Sequence, residues 1–340
     1  MCIQYARNNV QTENSIENGI LEDFRIEFLE VWKGLPNKGF FVVLLAAWLA
    51  IFQFLGNSTL GFVHSPSLLK WMYDVYQPAD HGLESEDQHG LIVPFLVIGL
   101  LWWKRKELLG LPLKTWLPAL VLLGIAVAMH IFGYLVQQPR ISIMALFTGI
   151  YALTGLAWGP SWLRASFFPY FLFAFCIPLG TLAQPLTFRL RLIVCQLVEA
   201  VCHYILAIDV VRDGTMLRDP TGHYQYEVAA ACSGIRSLVA ISLMATVYAF
   251  GWFGGIWKRL LVLASAIPLA ILGNLVRMLS IVIAAEIGGQ KLGNSVHDST
   301  VFSLLPYIPA MLGLIIIGRL LREKGPVSAK QRAEIPCPAT

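Results

Sequence analysis

Three side chains in the second half of the sequence have the types that acyl transfer through a thioester requires. Cys232, in the stretch AAACSGIRSL, offers a nucleophile, Arg277 offers a cation for an oxyanion, and His297 offers a proton carrier. Each also has an ordinary interpretation. Cys232 could be a buried packing residue, Arg277 could reach to the membrane interface, and His297 could be a hydrogen-bonded interfacial residue. The combination is informative only if helices bring the three together.

The composition assigns the chain to integral membrane proteins. Of its 340 residues, 56% are hydrophobic and 14% are charged, and the mean hydropathy is +0.64. These values exclude an ordinary soluble globular domain. The net charge of +4 is small and does not indicate nucleic-acid binding. We therefore expect membrane lipids and proteins as partners.

Uncharged runs define the expected fold. A transmembrane helix needs about 20 apolar residues. Eight candidate spans are 39–63, 91–103, 116–138, 141–163, 165–188, 237–257, 260–276 and 299–318. The predicted fold is all-α, a polytopic membrane helix bundle of about eight transmembrane helices with one amphipathic interfacial helix.

The amphipathic helix is expected over 189–209, where polar residues interrupt an apolar stretch. Gln196, Glu199 and His203 follow a spacing of three and then four residues, which places them on one helical face. A helix lying in the membrane interface fits this pattern. A ninth span is the alternative interpretation.

Basic clusters indicate the orientation. Eight spans place both termini on one side, and the basic C-terminal tail favours the cytosol for that side. The predicted organisation is a cytosolic N-terminal segment (1–38), a membrane domain (39–320) and a cytosolic basic tail (321–340). The N-terminal segment lacks the pattern of a cleaved signal peptide.

Counting the crossings places the three candidate residues at one membrane face. Cys232 precedes the sixth span, His297 precedes the eighth, and Arg277 lies about 26 Å along the seventh from its cytosolic start. Asn274, one turn below Arg277, could orient the guanidinium or present an amide donor to the same cavity. Asp298 could fix the tautomer of the neighbouring imidazole.

No metal site or cofactor is predicted. The acidic stretch ADHGLESEDQHG (79–90) contains histidines and carboxylates, but without a clean ligand spacing, so a solvated acidic loop is favoured over a metal site. The six cysteines are scattered, with neither a zinc pattern nor a disulfide framework.

Four blocks of the sequence resemble the exosortase/archaeosortase family. They are QHGLIVP (88–94), AACSGIRSL (230–238), GNLVRM (273–278) and VHDSTVF (296–302). The resemblance covers about residues 40–320, and it implies Cys232 as nucleophile, Arg277 as essential cation and His297 as the third member. Many family members carry an acidic residue where this chain has Ala230. The nearest acid is Glu227, so the role of that carboxylate is open.

The resemblance implies a bacterial membrane cysteine protease or transpeptidase. Such an enzyme would cleave the C-terminal sorting tails (PEP-CTERM-like) of exported proteins through a thioester and pass the product to an acceptor or water. The implied location is the inner membrane, with the active site facing the periplasm. Arg236 either binds a carboxylate of the sorting motif or anchors its helix, and His89 could line the same mouth.

Two other classes remain as alternatives. A transporter could use Arg277 and Asn274 to bind an anionic solute, although no inverted repeat is evident. A noncatalytic factor in envelope polysaccharide assembly is the other alternative.

Overall fold

The computed structural model describes residues 22–57, 65–77, 87–179, 184–227, 235–299, 302 and 304–321, without the side chains of 184, 235 and 236. The chain divides into two compact units. The first is formed by Met1–Pro78 with Gly90–Pro178, and the second by Ala79–His89 with Leu179–Thr340. Cys232 and the acidic stretch up to residue 86 lie outside the described residues.

The first unit is helical throughout its described part. Its helices are α1 (Glu22–Gly34), α2 (Lys38–Phe54), α3 (Leu68–Tyr76), α4 (Val93–Trp103), α5 (Arg105–Leu109), α6 (Ala119–Leu135), α7 (Pro139–Trp158) and α8 (Pro160–Phe171). Helix α7 is at the centre and packs on both α6 and α2. Small residues permit this packing, because Gly149 lies directly against the indole of Trp48. Trp48 Nε1 in turn donates to the carbonyl of Leu146 at 3.0 Å.

The second unit contains four helices and a small sheet in its described part. The elements are α9 (Gln184–Val201), β1 (Val211–Asp213), β2 (Met216–Arg218), β3 (Gln225–Glu227), α10 (Ile235–Trp252), α11 (Ile256–Asp298) and α12 (Tyr307–Leu321). Helices α10, α11 and α12 share an apolar cluster that includes Ile241, Ala266 and Leu314. The described residues of this unit therefore form a helix bundle whose later part also contacts the sheet.

The described fold is nearly all helical, as predicted, and one small sheet is the exception. The three strands are antiparallel in the order β1-β2-β3, with Leu217 opposite both Arg212 and Tyr226. The turn between β1 and β2 is Gly214-Thr215, and Gly214 has a φ of +62°, which glycine adopts without strain. The sequence reading missed this hairpin because the strands are only three residues long.

The count of eight spans is not confirmed. Among the described residues, Pro139–Trp158 and Ile256–Asp298 are long and apolar enough to cross a membrane. A third crossing is possible if α1 and α2, which meet at a bend of 95°, form one span. Four further apolar helices have only 10 to 17 residues: Val93–Trp103, Ala119–Leu135, Ser237–Trp252 and Tyr307–Leu321.

The fifth predicted run, 165–188, does not form a single helix. Helix α8 contains Pro169 and ends at Phe171, and the chain continues as a 3₁₀ helix from Leu172 to Cys176. Proline removes a backbone donor and disfavours helical continuation, and Pro178 follows two residues later. The next described helix is α9.

The amphipathic stretch corresponds to α9 and to the π-helical turn Cys202–Leu206 that follows. Val194 and Val198 of α9 are buried against α11 and the sheet, whereas Gln196 and His203 are exposed. Glu199 forms an ion pair with Arg212 of β1 at 2.8 Å. One side of this helix is therefore packed against protein.

Candidate functional site

A break in α11 brings His297 to Arg277. The helix runs from Ile256 to a pair of non-helical glycines, Gly288 (φ −130°, ψ 17°) and Gly289 (φ 70°, ψ −174°). Gly289 lies in a backbone region that is essentially restricted to glycine. Residues 290–298, here called the return helix, then fold back along α11. Arg277 Nη2 consequently donates to the carbonyl oxygen of His297 at 3.5 Å.

The direction of the return helix follows from a second contact. A Cβ atom added to Gly293 would lie 3.0 Å from the Cβ of Ala285, so the two helical segments touch there as well. Residue 293 thus meets residue 285, and residue 297 meets residue 277, which is an antiparallel arrangement. The sequence prediction had placed His297 just before the eighth span. The described helix α12 instead begins at Tyr307.

The height of Arg277 fits a site at a membrane boundary. Arg277 is about 32 Å along α11 from Ile256, close to the roughly 30 Å of a hydrocarbon core. A charged side chain is much less costly at that depth than at the bilayer centre. Arg277 is half-buried, and its partner is a main-chain carbonyl of the return helix.

Asn274 ties the start of α10 to α11. Asn274 Nδ2 donates to Ser237 Oγ at 3.1 Å, and the Ser237 hydroxyl lies 3.3 Å from Asn274 Oδ1. Both residues are 6% exposed. The predicted amide donor of Asn274 is therefore engaged with Ser237, and its role is to fix the two helices together below Arg277.

The predicted nucleophile, Cys232, precedes Ile235, the first residue of α10, by three residues in the sequence. Cys232 itself, and the side chain of Arg236, lie outside the described part of the chain.

His297 and Asp298 form a second pair at the end of the return helix. His297 Nδ1 and Asp298 Oδ1 are 2.9 Å apart, with side chains 36% and 77% exposed. This contact restrains the imidazole ring and favours the tautomer with the proton on Nδ1. Nε2 is then the nitrogen that can accept a proton.

Strand β3 is attached to the same return helix. Gln225 N donates to Gln290 Oε1 at 2.7 Å, and Gln290 Nε2 donates to the Gln225 carbonyl at 3.2 Å. Tyr226 Oη donates to the Gln290 carbonyl at 3.2 Å. Burial raises the pKa of Tyr226, and the charge of Asp298 raises it further. The sheet and the return helix are thus one connected structure.

The turn between β2 and β3 is stabilised by Asp219. Its carboxylate accepts hydrogen bonds from the hydroxyl and N–H of Thr221 and from the N–H of His223. These hydrogen bonds lower the pKa of Asp219, and the bond from the Thr221 hydroxyl has the largest effect. The turn that precedes β3 is therefore fixed, in addition to the contacts between β3 and the return helix.

The remaining predicted residues lie elsewhere. His89 is in the 3₁₀ helix Gln88–Leu91, next to Asp87, whose carboxylate accepts from the N–H of Leu179 at 3.1 Å. The contacts that join Arg277 to the return helix do not include His89. Glu227 is exposed at the end of β3. Among the described residues, no group of three or more His, Cys, Asp or Glu could hold a metal ion.

The described cysteines of the second unit are packing residues. Cys195 and Cys202 are buried in the cluster between α9, the sheet and α11. Burial raises the pKa of each thiol to about 11, so neither is a thiolate at neutral pH. A reactive thiol in this unit has to come from the undescribed residues, which include Cys232.

The apolar helices define a helical membrane protein. The longest of them has a polar contact near its end. The chain belongs to the transmembrane exosortase family, because the family model described as "Transmembrane exosortase (Exosortase_EpsH)" matches residues 81–315. The match includes Arg277 and His297 and the segment that carries Cys232. Neither the curated proteins nor the solved structures compared with the chain gave a match. Family membership suggests a membrane transpeptidase or protease.

Sequence reasoning missed Gln290, Ser237 and the sheet. The stretch IGGQ (287–290) did contain a signal, since two consecutive glycines inside a helical pattern indicate a break. The contacts of Gln290 and Ser237 join residues 65 and 37 positions apart. No local pattern predicts such pairs.

Proposed function

We propose that this protein is a membrane cysteine peptidase or transpeptidase that cleaves the C-terminal sorting tails of exported proteins. Family membership supports the reaction class, and the contact between Arg277 and the return helix carrying His297 is the observation that carries the proposal. This contact joins the Arg277 guanidinium to the main chain of the residue whose imidazole is the proposed proton carrier. The Asn274–Ser237 hydrogen bonds hold the start of α10 one helical turn from Arg277.

The proposed reaction begins with the Cys232 thiolate. Its sulfur attacks the carbonyl carbon of the scissile peptide bond, and the carbonyl electrons move to oxygen. The Arg277 guanidinium stabilises this oxyanion, because it offers several N–H donors in a planar fork. The oxyanion collapses, the C–N bond breaks, and protonated His297 delivers a proton to the leaving amine.

The second half of the reaction releases the enzyme. His297, now neutral, takes a proton from an incoming amine, hydroxyl or water, which attacks the thioester carbon. The C–S bond breaks and the thiolate returns. Asp298 holds the His297 ring in orientation, as their 2.9 Å contact allows. Arg236 and His89 are proposed to contact the substrate near the same mouth.

The proposed substrates are exported proteins with a C-terminal sorting signal that includes an apolar helix. That helix would dock among the membrane helices and present the preceding motif at the outer boundary. The proposed location is the bacterial inner membrane, with the site facing the periplasm. The distance of Arg277 from the start of α11 supports a site near one boundary of the membrane.

The test replaces Cys232 by Ala and, separately, by Ser. A tagged substrate carrying a sorting tail is co-expressed, and its cleavage is followed by gel mobility. Both variants are expected to lose cleavage while they accumulate in the membrane as the wild type does. Cleavage at the wild-type rate in both variants would remove the thiol from the mechanism.

A further inference from the structure

Gln290 has an unusual set of contacts for a partly exposed glutamine. It is the first residue after the Gly288–Gly289 break. Its side-chain amide accepts from the N–H of Gln225 and donates to the carbonyl of the same residue. A side chain that pairs with both backbone groups of one strand residue takes the place of a neighbouring strand.

Two more hydrogen bonds fix the Gln290 side chain and main chain. Gln290 Nε2 also donates to Asn294 Oδ1 at 3.0 Å, which joins successive turns of the return helix. Tyr226 Oη donates to the Gln290 carbonyl from the neighbouring position of β3. Gln290 therefore holds the first turn of the return helix on the sheet through both its side chain and its main-chain carbonyl.

The return helix needs such support. It is only nine residues long by its bounds, 290–298, and helices shorter than about 12 residues are marginal without tertiary contacts. Two glycines precede it, and they leave the backbone free to pivot. At its other end, the bond from Arg277 to the His297 carbonyl is long, at 3.5 Å. The bonds to β3 are shorter and more numerous.

We infer that Gln290 is a positioning residue, which sets the return helix on strand β3 and so holds the end of that helix, which carries His297, next to Arg277. The inference rests on the proposed function for its catalytic consequence. The contact also fixes the strand from which the chain continues toward Cys232, five residues after Glu227. The side-chain amide of Gln290 therefore determines the relative position of the return helix and strand β3.

The chemistry requires an amide, which allows a specific test. In Gln290→Glu, a carboxylate can still accept from the Gln225 N–H, but it repels the Gln225 carbonyl and Asn294 Oδ1. Gln290→Ala removes both the acceptor and the donor groups of the side-chain amide. Gln196→Glu is the matched control, because Gln196 is an exposed glutamine on α9 and the charge change is identical.

The first measurement is hydrogen exchange in nanodiscs. Both Gln290 variants are expected to exchange faster in peptides that cover 222–227 and 290–298, and the Gln196→Glu control is expected to match the wild type. The second measurement is cleavage kinetics. We expect kcat to fall about tenfold, the scale of one or two lost hydrogen bonds. KM is expected to stay within about twofold, because the substrate's tail helix does not contact Gln290.

The pH profile separates positioning from a general loss of structure. A glutamate at position 290 regains a donor when it is protonated, near its ordinary pKa of about 4.3. The kcat of Gln290→Glu relative to the wild type should therefore rise as the pH is lowered from 7 toward 4.5. Gln290→Ala should show no such recovery.

Unchanged exchange in both Gln290 variants overturns the inference. Wild-type kcat in both variants, measured on a wild-type enzyme that cleaves, also overturns it. If the wild type cleaves no tail-bearing substrate, the proposed function fails, and the exchange result alone decides whether Gln290 holds the return helix on β3.

Discussion

The two halves of α11 are held in place by different interactions. The half before Arg277 packs with α10 and α12 through small and aliphatic side chains such as Ala266, Ala270 and Leu269. The half after it buries Met278, Ile281 and Val282 in an apolar cluster with α9 and the sheet, and its last part, the return helix, is joined to β3 by hydrogen bonds. Apolar packing, with the Asn274–Ser237 hydrogen bonds, therefore holds α11 up to the glycine break, whereas hydrogen bonds hold the return helix on the sheet.

Arg277 belongs to the long apolar part of α11, and its side chain reaches the His297 carbonyl on the return helix. Within lipid, helices associate mainly by close packing, and a polar side chain without a partner is costly. The contact therefore gives the guanidinium a partner and links the two parts of α11.

The largest effect is expected from Arg277→Lys. A lysine keeps the charge but offers a compact ammonium in place of a planar fork. Cleavage of a tagged tail-bearing substrate should fall about 100-fold or more, the scale of losing an oxyanion donor. Full activity of this variant would mean that charge alone is needed at this position.

A smaller effect is expected from Gly289→Ala, which tests the polar half. Alanine at φ 70°, ψ −174° is strained by about 1–3 kcal/mol, so the return helix should lose its orientation. Turnover per folded enzyme should fall about tenfold, and the melting temperature should decrease by a few degrees, as measured by cleavage and by thermal unfolding in detergent.

The matched change is Gly313→Ala in α12, where Gly313 packs against Leu269 in the apolar half of α11. The nearest atoms to a Cβ there belong to the Leu269 side chain, which has to shift to make room. The melting temperature should change slightly and turnover should stay at the wild-type level. Equal losses of turnover in Gly289→Ala and Gly313→Ala would remove the distinction between the halves.

Arg277 and His297 were proposed from their positions at the ends of apolar runs, and the structure brings the Arg277 side chain to the His297 carbonyl. Their catalytic roles stay a prediction. The sequence suggested that adjacent spans bring the two residues together. In the structure, a break at Gly288 and the return helix do so. A double glycine indicates a break but not the direction that the chain takes afterwards.

The span count and the sheet show two further limits. Hydropathy locates apolar runs, but a proline such as Pro169 ends a helix within a run that hydropathy treats as continuous. Strands of three residues are too short to show an alternating hydrophobic pattern, and the glycine at the first turn position, Gly214, is the local signal of a hairpin. Both features depend on backbone geometry more than on hydrophobicity.

The central claim is that Cys232, Arg277 and His297 share one pocket, and thiol cross-linking tests it most directly. The variant His297→Cys is prepared with Cys2 and Cys337 replaced by serine, and it is treated with a short bifunctional methanethiosulfonate. Mass spectrometry then locates the linked peptides. Ser295→Cys, two residues earlier on the return helix, serves as the control.

The account predicts an intramolecular link between Cys232 and the thiol introduced at position 297, formed in preference to a link with position 295. Single-ended adducts at both thiols without a link, or a link formed equally well with position 295, would contradict it.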